Sequence, residues 1–253
     1  MEQKLILLNK PKVELRTAQK LFLEKVEESR KNGFNKGLLI FATGLGKSLA
    51  SMNDSLNVIE EYEKTTGKKG KILIIAHNHN LLYQLARDFK LLCKNRKIGF
   101  LYKSKKDTNA KVLFANIMTL KQNKYLYSFK PDEFIYIIVD ETHHVGAISY
   151  KKVLEYFKPK FLLGMTATPN RTDQIDILPL YDNNIIININ VFEAINKGWL
   201  RKYKYSFFWD KWCNYEKVRS YRMKNGHYKY DNDDLGKAYY VPERDKAIIK
   251  EFK

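Results

Sequence analysis

Between about residues 36 and 190 the chain alternates short apolar runs with longer stretches of helical spacing. The runs cover residues 37–42, 71–76, 111–115, 134–139, 160–164 and 185–189, and they are apolar at successive rather than alternate positions. Helical candidates lie between them at residues 47–63, 81–92 and 149–157. A strand with two apolar faces has to be covered twice, and strand–helix alternation supplies that cover. The pattern therefore predicts an α/β fold, a mainly parallel central sheet with helices on both faces. An earlier helix is expected over residues 17–30, where Leu21, Phe22 and Val26 recur at helical spacing and Asn32-Gly33 offers a stop.

Past residue 200 the character changes. Residues 203–240 are rich in Tyr, Lys, Asn and Asp without a clear period, as expected of a connecting segment with some strand and helix of its own. A last helical stretch, residues 242–253, carries Ala247, Ile248, Ile249 and Phe252. A helix opening so late is expected to begin a further unit, so the chain is expected to be cut from something longer. The expected division is an α/β body over residues 1–202 and a connecting segment over residues 203–253.

Composition narrows the classes. With 253 residues, 44% of them hydrophobic and 13% aromatic, the chain can bury a sizeable core and is not a disordered one. No apolar run approaches the roughly 20 residues of a membrane helix, and residues 5–8 are too short for a secretory signal, so no membrane partner is expected. Cys93 and Cys213 fit no metal or redox spacing and are expected to be reduced thiols of a cytoplasmic protein. The net charge of +18 invites a polyanionic partner. Yet 37 Lys against 9 Arg, with abundant Asn, is also what an A/T-rich coding sequence produces, so the charge alone does not decide.

Two contiguous motifs carry the chemistry. Phe41-Ala42-Thr43-Gly44-Leu45-Gly46-Lys47-Ser48 follows an expected strand and opens an expected helix. Gly44 and Gly46 permit the backbone turns that aim successive N–H groups at an anion, and the helix dipole adds to them. Lys47 would reach the β- and γ-phosphates of a nucleotide, and the Ser48 hydroxyl would ligate Mg²⁺. Ala42 stands where the strict phosphate-loop pattern has its first Gly, and a Gly-rich strand-to-helix turn is the plainer alternative. The second motif is a strand, residues 135–139, ending in Asp140-Glu141. Asp140 would hold the Mg²⁺ and Glu141 would orient and deprotonate an attacking water, at the sheet end where α/β ligands bind. A solvated strand end is the bland reading of two carboxylates. Thr142-His143-His144 is not read as a metal site, because adjacent histidines diverge and no further ligand set accompanies them.

Together these residues resemble superfamily 2 helicases of the DExH type. Ala42-Thr43-Gly44-Leu45-Gly46-Lys47-Ser48 is similar to helicase motif I, Ala included, Asp140-Glu141-Thr142-His143 to motif II, and Thr166-Ala167-Thr168 to motif III. Leu15-Arg16-Thr17-Ala18-Gln19 resembles the Q motif, Ile74-Ile75-Ala76-His77 with Gln84 resembles motif Ia, and Asn116-Ile117-Met118-Thr119-Leu120 resembles a later nucleic-acid-contacting motif. The six occur in family order, and the nearest flavour is the branch of restriction-enzyme motor subunits.

The resemblance implies a RecA-like phosphate-loop domain that binds ATP and Mg²⁺ and works on nucleic acid, DNA more readily than RNA. Gln19 would recognise adenine, with Thr43, Gly44, Leu45, Gly46, Lys47 and Ser48 around the phosphates. His143, Thr166 and Thr168 would couple the nucleotide to the nucleic acid, which His77, Gln84 and Thr119 would touch. In the family a second RecA-like domain completes the cleft and gives an arginine finger worth roughly 10³–10⁵ in rate. It is expected to lie outside this chain, leaving residues 1–253 slow in hydrolysis. The alternatives are a nucleic-acid-binding platform whose motor domain is inactive in isolation, and a phosphate-loop kinase, which would leave Gln19, Thr166 and Thr168 without a purpose.

Overall fold

The computed structural model describes residues 14–142, 148–167, 177–204, 214–223 and 228–251. The chain divides into two compact units, Met1–Lys202 and Tyr203–Lys253.

The first unit is built on one sheet. Its strands in chain order are β1 (Lys36–Phe41), β2 (Ile72–Ala76), β3 (Ile98–Tyr102), β4 (Lys105–Lys106), β5 (Val112–Asn116), β6 (Tyr136–Asp140), β7 (Phe161–Thr166) and β8 (Ile185–Ile189). Among the described residues the spatial order is β4-β3-β5-β2-β6-β7-β1-β8, parallel throughout except for the β3–β4 hairpin. The helices are α1 (Thr17–Lys31), α2 (Lys47–Thr66), α3 (His79–Leu92), α4 (Ile117–Leu120), α5 (Asn123–Leu126), α6 (Ile148–Tyr156) and α7 (Val191–Asn196). All six expected strands are found, within two residues at each end, and so are the helices expected before residue 160. The β3–β4 hairpin, the short α4 and α5, and α7 were not foreseen.

Strand alternation divides the core in two. Leu39 and Phe41, Ile72 and Ile74, Val112 and Phe114, Ile138, Leu163 and Met165 pack against Phe22 and Val26 of α1, Met52, Leu56 and Ile59 of α2, and Leu82, Leu85 and Phe89 of α3. Their neighbours Leu38, Ile40, Leu73, Ile75, Leu113, Ala115, Ile137, Val139 and Leu162 face Ile117 and Leu120 of α4, Leu126 of α5, Tyr150 and Val153 of α6, and Tyr181. Successive residues of a strand point to opposite faces, so every central strand feeds both clusters. That is why β2, β6 and β7 are buried at each position.

One polar network pins the first layer. Asp54 of α2, 1% exposed, accepts both terminal nitrogens of Arg30 from α1 at 2.8 Å and the Tyr136 hydroxyl of β6 at 2.5 Å. The Arg30 guanidinium also lies 5.2 Å from the Phe161 ring centroid. The phenol of Tyr136 is raised well above its usual range by burial and by the neighbouring Asp54 charge.

The second unit holds an antiparallel hairpin, β9 (Ser220–Arg222) with β10 (Tyr228–Tyr230), then α8 (Asn232–Tyr239) and α9 (Pro242–Glu251). Asp231 caps α8 by accepting from the N–H groups of Asp233 and Asp234, and Arg219 donates to Asp234 at 2.6 Å.

Candidate functional site

The loop from β1 into α2 turns on two glycines in the left-handed region, Gly44 at φ 95° and Gly46 at φ 79°. A side chain at Gly46 would collide with the Gln19 amide as well as strain the backbone. The crowding has a cause: Gln19 Nε2 donates to the Gly46 carbonyl at 3.0 Å. Gln19 is itself fixed, its Oε1 accepting from the Arg16 N–H at 2.9 Å, while the Arg16 guanidinium reaches the Gly44 carbonyl at 3.3 Å. The first turn of α1 thus braces both glycines of the loop. Thr43 is exposed and Leu45 is buried beneath the turn.

Lys47 and Ser48 are the first two residues of α2, both half-buried. The first turn of this twenty-residue helix contains no acidic side chain. Its positive dipole end is therefore left for an anion from outside.

Opposite stands the end of β6. Strand β7 lies between β6 and β1, with Asp140 in register with Met165 and Thr166 with Ile40, so the three strands end level. The Lys47 Nζ comes within 3.4 Å of Glu141 Oε1. Glu141 sits at φ 48°, unusual for a residue with a Cβ. Such conformations persist where the surroundings enforce them. Asp140 is only 4% exposed, and its Oδ1 has no hydrogen-bond partner among the described residues. Burial, then the charge of Glu141, push its carboxyl up to about 6, against the opposing pull of Lys47.

A buried acceptor without a donor is costly, and a hard cation or its bound water is one remedy. Beside it are an amine, a hydroxyl, a free helix N-terminus and a second carboxylate. The set fits a magnesium-bound phosphate chain, with Ser48 and Asp140 as the residues that would hold the metal.

Two tyrosines behind the carboxylates were missed in the sequence. Thr142 is fully buried, and its hydroxyl shares a 2.5 Å hydrogen bond with the Tyr181 hydroxyl. The Tyr181 ring occupies the space a side chain at Gly164 would need. Tyr150 of α6 is 3% exposed, its hydroxyl has no partner among the described residues, and its phenol is raised by burial and by the nearby Asp140 charge. Tyr181 comes from a turn about forty residues on and Tyr150 from the next helix, and no local motif marks either. Thr166 is fully buried at the end of β7. His143 and Thr168, with His144, Arg171, Asp173 and Cys213, lie outside the described residues.

The remaining candidates sit farther along the same sheet edge. His77 is exposed just past β2, and its carbonyl accepts from Asn116 Nδ2 at 2.8 Å. Asn116 in turn caps α4 through the Met118 N–H, placing half-buried Thr119 in the short helix that packs against β5 and β3. Gln84 is exposed on α3. The β2–β5 pairing brings His77 and the segment leading to Thr119 together, apart from the Lys47–Glu141 pair. No described helix is long and apolar enough to cross a membrane.

The sequence model of the family described as type III restriction enzyme, res subunit, matches residues 12–171. An Escherichia coli type I restriction enzyme EcoAI endonuclease subunit is 26% identical over 188 residues, covering 72% of this chain and 22% of its own length. The helicase/translocase subunit XPB of general transcription and DNA repair factor IIH from Dictyostelium discoideum is 25% identical over 191 residues, 70% of this chain and 22% of that one. Among solved structures, a nuclease-deletion mutant of the type ISP restriction-modification enzyme LlaGI, in complex with a DNA substrate mimic, superposes with a TM-score of 0.57 at 18% identity, over 73% of this chain and 20% of that one. The chain spans less than a third of the length of each of these proteins.

Proposed function

Since the chain belongs to the type III restriction enzyme res subunit family, we propose that it is the ATP-binding motor domain of a nucleic-acid helicase or translocase. The observation that carries this reading is the meeting of Lys47 and Glu141 at 3.4 Å beside a buried Asp140 oxygen that has no hydrogen-bond partner among the described residues, at a helix N-terminus without acids.

On this reading the backbone of residues 43–46 cradles the phosphates and Lys47 exchanges its carboxylate partner for the β- and γ-phosphates. That exchange frees Glu141 to orient and deprotonate the attacking water. Ser48 and Asp140 hold magnesium, which when bound offsets the charge of the phosphates. Gln19 has spent one N–H on Gly46 and one lone pair on Arg16. It keeps one of each for an adenine edge. An adenine bound there is tied through Gln19 to the loop itself. Thr166, with His143 and Thr168, relays the state of the site toward the nucleic acid, which His77, Gln84 and Thr119 contact.

DNA is favoured over RNA, supported by the restriction-enzyme relatives and by the structure of one of them with a DNA substrate mimic. A second RecA-like domain completes the cleft, residues 203–253 lead toward it, and the setting is cytoplasmic, where nucleotide and nucleic acid meet. The test is nucleotide binding and turnover with and without DNA. Lys47→Ala is expected to lose affinity for ATP·Mg²⁺ while unfolding like the parent chain, and Glu141→Gln to bind nucleotide without turning it over. Undiminished ATP affinity in Lys47→Ala would remove the site.

A further inference from the structure

The edge strand β4 and the turn before it carry three lysines whose partners are aromatic rings. Lys103 Nζ lies 5.4 Å from the centroid of Tyr102. Lys105 lies 5.1 Å from Tyr83 and 5.3 Å from Phe100. Lys106, the next residue, lies 4.4 Å from Tyr125. Neighbouring strand residues point to opposite faces, so Lys105 rests on the α3 side of the sheet and Lys106 on the α5 side. Among the described residues none of the three is within ion-pair distance of a carboxylate. The one acid of the hairpin, Asp107, is turned onto the strand, its Oδ2 accepting from the Phe100 N–H at 3.1 Å. Packing fixes the rings: His79, the first residue of α3, stacks on Tyr102 at 5.1 Å and 3°, and Tyr83 leans on Phe100 at 5.0 Å.

A lysine on an exposed ring is held by only about 0.5–1 kcal/mol. Its ammonium is pre-positioned, yet nothing of opposite charge has to be displaced before an anion can bind. The place is as informative as the chemistry. Leu101 is in register with Ala115, and Ala76 with Asn116. The turn after Tyr102 therefore emerges level with Asn116 and His77, on the sheet edge where the nucleic-acid residues are proposed. From β2 to β4 there are three strand spacings of about 4.8 Å, hence about 14 Å. At about 3.4 Å per nucleotide along one strand, that is about four phosphates.

We infer that the β3–β4 hairpin is an outer handhold for a phosphodiester backbone, extending the nucleic-acid track beyond His77 and Thr119 through Lys103, Lys105 and Lys106. The inference rests on the nucleic-acid reading given above and deepens it. Its competitor is edge protection, since lysines on a terminal strand also block pairing with another chain.

The experiment uses the 253-residue chain, a short labelled DNA duplex and the RNA duplex of the same sequence. Affinity is measured across a salt series for the parent, for Lys103→Gln/Lys105→Gln/Lys106→Gln, and for Lys64→Gln/Lys68→Gln/Lys90→Gln. The last variant removes the same charge from exposed positions toward the opposite ends of α2 and α3. Each phosphate contact contributes about 0.9 to the slope of log affinity against log salt for a DNA duplex. The hairpin variant is expected to lose about 2–3 from that slope, and the control variant to keep the parent's. Loss with either duplex supports the handhold, and the duplex that shows it identifies the substrate. If the parent binds with a steep slope that the hairpin variant shares, the handhold is wrong while the motor reading stands. An unchanged slope with new self-association of the hairpin variant leaves edge protection alone and equally overturns it. If the parent binds neither duplex, the nucleic-acid reading itself fails.

Discussion

Asp140 costs stability where it stands. The folded chain holds its proton up to about pH 6, against an ordinary 3.8 for the carboxyl. The sign follows: below about pH 4 both states are protonated and the residue is neutral to folding, while between about 4 and 6 only the unfolded chain ionises freely, so stability falls as pH rises. At neutral pH the loss is on the order of 3 kcal/mol. Asp140→Asn is therefore expected to raise the unfolding free energy of the nucleotide-free chain in chelator near pH 7, with the advantage gone near pH 4. Denaturant titrations at the two pH values measure this, and equal stability at pH 7 would mean that burial does not raise this carboxyl. Lys47, Ser48, Asp140 and Glu141 could be singled out from sequence because each lies in a short contiguous pattern whose chemistry is local. Tyr150 and Tyr181 could not, since their nearness to Asp140 and Thr142 exists only once α6 and the turn at residues 178–181 have packed beneath the sheet.

At the scale of elements, the Arg30–Asp54–Tyr136 network joins α1, α2 and β6 through one buried carboxylate. Removing one partner of a buried pair strands the other. Asp54→Ala is expected to cost about 3–5 kcal/mol, and the double change Arg30→Met/Asp54→Leu less than that. A denaturant double-mutant cycle reads both, and a double variant as unstable as Asp54→Ala would mean that the ion pair is not the source of the cost. Nothing in the sequence announces this network, whose members are ordinary helix and strand residues with distant partners. The strands that were legible have apolar residues on both faces. Strand β3 was missed because Ile98, Phe100 and Tyr102 are only partly buried and Gly99 interrupts the run. Gly99 has its own reason, since a Cβ there would meet Ala110 and the Asp107 backbone and prevent the hairpin from folding back. Strand β4 is two lysines long and gives no hydrophobic signal at all.

For the whole molecule, both apolar clusters draw their buried members from residues 18–194. A chain ended after Lys202 is accordingly expected to unfold as one cooperative transition with its core intact. Loss of that transition in calorimetry would show that residues 203–253 are needed for the first unit to fold. The alternation of strands and helices made the layering and the parallel sheet readable from sequence. The helix at residues 242–251 was readable too, from the apolar Ala247, Ile248 and Ile249, whereas the β9–β10 hairpin and α8 were not, because their short strands are exposed on both faces and leave no period to follow.

The parallel ladder between β2 and β6, from Ile72 opposite Tyr136 to Ile75 opposite Val139, joins the half of the sheet edge that ends in His77 to the half that ends in Asp140. A buried ladder of this kind does not stretch. The interval between the two stations is thus set when the sheet folds. On the motor reading proposed above, this body would serve as a ruler, not a spring, keeping the spacing between nucleotide and nucleic acid constant.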